Sequence, residues 1–84
     1  MNVRGLFACA DNEFIEFAIK RARLNDNERR VLTEVIDHCK TQEETAEIMD
    51  ISVRQTQNYW YSANEKLLSI PWVTSFINSF KDGN

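Results

Sequence analysis

The chain has no glycine or proline between residues 11 and 70, and this gap constrains its fold more than any other feature. Both residue types mark tight turns and interrupt helices, and here they occur only at Gly5, Pro71 and Gly83. A stretch of that length without such breaks favours helices joined by short polar connections. We therefore predict an all-α fold, a small helical bundle of about five helices.

The length of 84 residues predicts a single domain over residues 1–84, because a second hydrophobic core would need a longer chain. Apolar residues recur at helical spacing from Phe14 to Ala22, which predicts an N-terminal helix over residues 11–22 with Asp11 as its cap. We predict two further parts, a helix-turn-helix core over residues 24–68 and a C-terminal helix over residues 71–80.

Helix start signals divide the core. A cap residue followed three positions later by Glu or Gln predicts helix starts at Asn25–Glu28, Thr41–Glu44 and Ser52–Gln55. The last two signals are so close that the helix between them has about two turns. Asp50 and Ile51 interrupt the pattern, so we predict two helices joined by a tight turn.

The second helix of this pair, residues 52–68, has two unlike faces. Thr56, Trp60, Ala63 and Leu67 follow a spacing of four, three and four, which predicts that this face is buried. Side chains that hydrogen-bond to base edges or phosphates occupy the opposite face: Arg54, Gln55, Gln57, Asn58 and Tyr61.

The same spacing fits a helix-turn-helix. This motif needs a small residue in the first helix, an apolar residue in the turn and buried positions in the second helix. Ala46, Ile51, Thr56 and Trp60 fill these positions in order. The second helix would then lie in the major groove of double-stranded DNA, and the N-terminal amides of the first would be available to a phosphate.

The order of these elements resembles bacterial sigma-factor region four, and it is similar to the DNA-binding domains of LuxR-type regulators. The resemblance covers about half the chain and is carried by residues 24–32, 41–49 and 51–54, ending in Lys66-Leu67. It implies a helix that reads promoter DNA, with Arg54, Gln55, Gln57 and Asn58 at the reading positions. It also implies phosphate contacts for Ser52 and Tyr59.

Three residues depart from the family pattern. Asp50 stands where the turn usually has glycine, and Thr45 and Thr56 stand at positions that are usually apolar. Aspartate tolerates a positive φ, so we expect the turn to form. Its carboxylate would repel phosphate, and we expect weak DNA binding by an isolated monomer.

The C-terminal helix carries a wide apolar stripe: Trp72, Val73, Phe76, Ile77 and Phe80. An apolar stripe of this width is normally buried against another surface. It either closes the core against the first helix or meets the same helix of a second subunit, which makes it a candidate homodimer interface.

The net charge of −3 weighs against a nucleic-acid partner, because phosphate binding normally needs a basic surface. Basic residues nevertheless cluster between Lys20 and Arg30. The main hypothesis is a sequence-specific transcriptional regulator. The alternative keeps the same fold in an adaptor that binds RNA polymerase or a sigma factor.

No catalytic constellation is recognisable. The chain has one histidine, His38, and no Gly-rich phosphate loop, and Cys9 and Cys39 lack partners at metal-ligand spacing. We expect no enzyme activity, no metal and no cofactor. Because no apolar run of membrane-spanning length and no targeting signal is present, we expect no membrane association and a cytoplasmic location.

Overall fold

The computed structural model describes the backbone of residues 3–82 and the side chains of residues 3–79. These residues form helices and connecting segments without any strand, which confirms the all-α class. The described residues contain six α-helices: α1 (Arg4–Cys9), α2 (Asn12–Ala22), α3 (Asp26–Leu32), α4 (Gln42–Met49), α5 (Val53–Leu68) and α6 (Pro71–Asp82). A π-helical turn, Thr33–Asp37, continues α3.

The sixth helix, α1, corrects the predicted number of about five. It has six residues and no side-chain cap, so nothing local marks it in the sequence. Its position depends on tertiary contacts: α1 contacts α6, and Leu6 is buried. The amide of Val3, just before α1, donates a 3.0 Å hydrogen bond to Oδ1 of the buried Asn64.

The predicted helix starts are present. Each of the three cap residues accepts a hydrogen bond from the amide three positions on, and the Glu or Gln there accepts one in return. All six distances lie between 2.8 and 3.0 Å, for Asn25–Glu28, Thr41–Glu44 and Ser52–Gln55. Asp11 caps α2 through the amide of Phe14 at 2.8 Å. Pro71 is the first residue of α6, where its missing N–H has no cost.

The chain divides into two compact units. The terminal unit comprises the described residues up to Arg23 together with those from Asn64 onward, and the central unit comprises Leu24–Ala63. Helix α5 begins in the central unit, and its last five residues belong to the terminal unit.

In the terminal unit, α6 packs against α2. The Phe14 ring lies 5.2 Å from that of Trp72 and 4.9 Å from that of Phe76, measured between centroids. Val73 and Ile77 are buried. Of the two alternatives for the apolar stripe of α6, these residues therefore follow the first and close the core of the chain itself. The side chain of Phe80 lies outside the described residues.

The core of the central unit contains two threonines where apolar residues were expected. Thr45 and Thr56 are fully buried, and each hydroxyl donates to the carbonyl four residues earlier, at 2.8 and 3.1 Å. This local hydrogen bond satisfies the buried hydroxyl within its own helix. Val31, Leu32 and Val35 of the same unit are buried as well.

The connection from α4 to α5 is tight. Asp50 has φ 56° and ψ 48°, which confirms that the turn forms with a non-glycine residue at positive φ. The Ile51 amide donates to Ala46 O at 3.0 Å, and the Asp50 amide donates to Glu47 O at 3.2 Å. This pair of bonds is a Schellman motif, and it satisfies carbonyls at the end of α4.

The end of α3 was not predicted in this form. In the π-helical turn, the His38 amide donates to Thr33 O at 3.1 Å, and Cys39 follows with φ 56°. His38 Nδ1 lies 2.8 Å from Oε1 of Glu34, one turn earlier. His38 follows directly on the last residue of this turn, at its C-terminal end. Helix α4 contacts this turn.

Candidate nucleic-acid interface

The exposed face of α5 is a polar stripe. Arg54, Gln57, Asn58 and Tyr61 are all exposed, and Tyr61 is 70% accessible. Their positions, i, i+3, i+4 and i+7, place the four side chains on one side of the helix. None of the four has a hydrogen-bond or ion-pair partner among the described residues. We call this set the α5 stripe.

The opposite face of α5 is buried. Thr56, Trp60 and Ala63 are buried in the central unit, and Leu67 is buried in the terminal unit, as the spacing predicted. Because successive residues turn by 100°, these positions lie roughly opposite the α5 stripe. The sequence therefore separates the two faces of this helix without ambiguity.

Two of the predicted DNA contacts have structural roles. Ser52 Oγ accepts the Gln55 amide, and Gln55 Oε1 accepts the Ser52 amide, both at 3.0 Å. Both side chains are exposed, but these bonds fix them at the start of α5. Because Oε1 is held at the cap, Gln55 is less free than an unbonded glutamine to turn its amide edge toward a base.

Tyr59 lies at the edge of the exposed surface. It is half-buried, and its hydroxyl accepts a 3.1 Å hydrogen bond from Nδ2 of Asn27. This bond joins α5 to α3 within the central unit. The sequence marked Tyr59 only as a phosphate contact, and no local signal connects it to Asn27, which lies 32 residues earlier.

Glu28 of α3 is buried and hydrogen-bonds to α5. Its side chain is only 1% exposed. Oε1 accepts the Asn25 amide at 2.9 Å, and Oε2 accepts a hydrogen bond from the hydroxyl of Ser62. Glu28 thus caps α3 and also joins it to the middle of α5. The sequence identified the cap but missed the second bond, which spans 34 residues.

One amide at the N-terminus of α4 already has a partner within the protein. The Thr41 hydroxyl accepts the Glu44 amide at 3.0 Å, so this amide is not available to a phosphate. Glu43 and Glu44 are both exposed in the first turn. A hydrogen bond from the Thr41 backbone N–H, supported by the Thr41 side chain, lowers the pKa of Glu44 from its ordinary value of 4.5.

Glu44 should therefore stabilise the fold in a pH-dependent way. Because its pKa is lower in the folded state, its contribution is complete above pH 4.5 and is lost as the pH falls through the folded pKa. We expect Glu44→Gln to lower the melting temperature near pH 7, with the difference shrinking as the pH falls below 4.5. Thermal denaturation followed by circular dichroism measures this. Glu47→Gln, an exposed change on the same helix, is the control, and a pH-independent difference for Glu44→Gln would contradict the account.

The central unit is acidic. It contains four Arg or Lys residues, Arg29, Arg30, Lys40 and Arg54, against eight Asp or Glu residues, which gives a formal charge of −4. Arg54 is the only cation on the α5 stripe. Any polyanion that docks here must therefore rely on hydrogen bonds more than on a basic field.

The terminal unit has an open depression of about 330 Å³ on its surface. It is lined by Arg21, Ala22, Lys66, Ser69, Ile70, Pro71 and Trp72. It combines two cationic side chains with one aromatic ring, but it lacks a nucleophile with an adjacent base. Among the described residues, no three His, Cys, Asp or Glu side chains lie close enough together to hold a metal ion.

No helix within residues 3–82 combines the length and the apolar character that spanning a bilayer requires.

Comparison with known proteins returned no matching family model, no matching curated protein and no matching solved structure.

Proposed function

We propose that the chain is a sequence-specific DNA-binding regulator of transcription in which α4 and α5 act as a helix-turn-helix. The α5 stripe carries this proposal. Its four side chains are polar, exposed and free of partners among the described residues, and the opposite face of the same helix is buried. Because the polar and buried faces are separate, the polar side chains of this helix can contact a ligand without disturbing the packing of the core.

The chemistry of the α5 stripe suits base edges in the major groove. Arg54 can pair bidentately with guanine, and Gln57 and Asn58 can each do so with adenine. The Tyr61 hydroxyl can donate to a phosphate, and its ring can contact a thymine methyl group. Of the predicted contacts, we assign Ser52, Gln55 and Tyr59 to positioning the helix, because each is engaged in a hydrogen bond of its own.

The connection supports a helix-turn-helix assignment. The Schellman motif at Asp50 ends α4, and the Ser52 cap begins α5 two residues later. Ala46 and Thr56 are both buried, as the crossing of two such helices requires. The bond between Glu28 and Ser62 also braces the middle of α5 against α3. A reading helix benefits from such bracing because base contacts need precise placement.

Binding should be weak and only moderately dependent on salt. With Arg54 as the only cation of the stripe, the slope of log affinity against log salt should be about −1 to −3. Arg54→Ala should reduce the magnitude of this slope by about 1 and the affinity roughly tenfold. Arg30→Ala, which removes an exposed arginine from α3, should change the affinity less than about twofold.

Fluorescence anisotropy with labelled duplex DNA at two salt concentrations measures both quantities. Loss of affinity on Arg54→Ala with a smaller salt slope would support the proposal. Equal affinities for wild type, Arg54→Ala and Arg30→Ala would show that the α5 stripe does not touch DNA.

A second candidate is an adaptor that uses the same fold to bind a protein such as RNA polymerase or a sigma factor. The charge of −4 on the central unit and the exposed Glu43, Glu44 and Glu47 favour it, because a basic protein surface would complement them. A salt-insensitive, feeble interaction with DNA combined with a stable complex with one of these proteins would select the adaptor. Both candidates are binding proteins without catalysis or cofactor, and both place the chain in the cytoplasm.

A further inference from the structure

An aromatic side chain, Phe17, lies at the centre of the exposed face of α2. Phe17 is 61% exposed, although α2 buries Ala18 and Ile19 on its other side. Its ring lies 5.5 Å from that of Trp72, which in turn contacts Phe14, so Phe17 is the outer edge of a continuous aromatic cluster in the terminal unit. An exposed aromatic ring joined to others is typical of an interaction surface rather than of a scattered surface residue.

Charges of opposite sign flank Phe17 at equal distances. Glu13 is four residues before it and Arg21 is four residues after it, so all three lie on one side of α2. Each charge is about 6 Å along the helix axis from Phe17. Glu13 and Arg21 are exposed, and neither has an ion-pair partner among the described residues.

This arrangement is self-complementary, and we propose that a second copy of the chain binds here through α2. When two copies of α2 pair antiparallel across a two-fold axis at Phe17, the residue four positions before it meets the residue four positions after it in the other copy. Two Phe17 rings then pack at the axis, and two Glu13–Arg21 ion pairs form on either side. No other occupant is favoured by this symmetry of charge about one exposed ring.

This dimer does not require DNA. It also differs from the predicted dimer through α6, because Val73 and Ile77 of that helix are buried in the chain itself. The contact area is small, so we expect a reversible dimer with a dissociation constant on the order of 0.1 mM, in the range of weak, transient interfaces.

Sedimentation equilibrium of the full chain, from about 10 µM to about 1 mM, tests this. Phe17→Ser should weaken the dimer at least about tenfold, because it removes the central ring. Tyr61→Ser removes a highly exposed aromatic ring from α5 instead, and it should leave the association unchanged. Circular dichroism of each variant verifies that the helices are retained.

The charges allow a sharper test. Glu13→Arg or Arg21→Glu alone places like charges opposite each other twice and should weaken the dimer about tenfold. The double variant Glu13→Arg/Arg21→Glu restores both pairs with reversed sign, and the dissociation constant should return to within about threefold of wild type. The exchange also opposes the dipole of α2, so recovery cannot come from a more stable helix. A monomer at all concentrations, or a dimer that the double variant fails to restore, would overturn the proposal.

Discussion

Glu28→Ala should lower the free energy of unfolding by about 3 kcal/mol. The side chain is 1% exposed, and it accepts hydrogen bonds from the Asn25 amide and the Ser62 hydroxyl. Alanine removes both acceptors and leaves the half-buried Ser62 hydroxyl without this partner. The cost includes the lost charge-assisted hydrogen bonds and the small cavity left behind. Chemical denaturation of wild type and variant measures the difference.

A set of related variants identifies the cause. Glu28→Gln keeps the shape and can hydrogen-bond to both groups, so it should cost less than alanine does. In a double-mutant cycle, Glu28→Ala and Ser62→Ala should be non-additive by about 1 kcal/mol or more, because the two residues share a hydrogen bond. Glu47→Ala, an exposed glutamate on α4, should change stability by less than about 0.5 kcal/mol. An additive cycle would show that the bond between α3 and α5 contributes little.

Leu32→Ala should also destabilise the chain by about 3 kcal/mol. Leu32 is 1% exposed at the end of α3, among the buried residues of the central unit. Its truncation removes the free energy of burying the side chain and leaves a cavity that rigid helices fill poorly. For a chain of this length, such a loss is a large part of the total stability.

Ile48→Ala is the matched control. Ile48 is 44% exposed on α4, so the same kind of truncation should cost less than about 1 kcal/mol. Denaturant midpoints of both variants give the comparison directly. If Leu32→Ala proved as mild as Ile48→Ala, the assignment of Leu32 to the core would be incorrect.

The starts of the helices were predictable because their signals are local. A capping box joins residues only three positions apart. Thr41–Glu44 and Ser52–Gln55 can therefore be recognised in the sequence before the fold is known. The burial of Thr56 and Trp60 was predictable for a similar reason, since helical periodicity places them on one face. Asp50 at positive φ follows from its place between two such helices.

The features that the sequence did not reveal depend on distant partners. Helix α1 has no cap of its own, and the bond from Val3 to Asn64 that precedes it spans 61 residues. The bond between Glu28 and Ser62 is likewise a product of packing. The π-helical turn at Thr33–Asp37 has no compositional signature that distinguishes it from the α-helix before it.

The candidate site was predictable as a surface but not as individual contacts. Spacing alone placed Arg54, Gln57, Asn58 and Tyr61 on the exposed face of α5. The sequence could not show that Tyr59 is held by Asn27, because that bond joins two helices. The sequence allowed Gln55 to act either as part of the helix cap or as a base contact. Its hydrogen bond with the Ser52 amide makes it part of the cap.

Selection from a pool of randomised duplex DNA tests the central claim, that the α5 stripe reads sequence, most directly. The full chain should enrich a defined motif, and Arg54→Ala and Gln57→Ala should each abolish or alter it. Asn12→Ala, which removes an exposed amide side chain from α2, should leave the motif unchanged. Absence of any enriched motif, or an identical motif from wild type and Gln57→Ala, would contradict the claim and favour a protein partner for this surface.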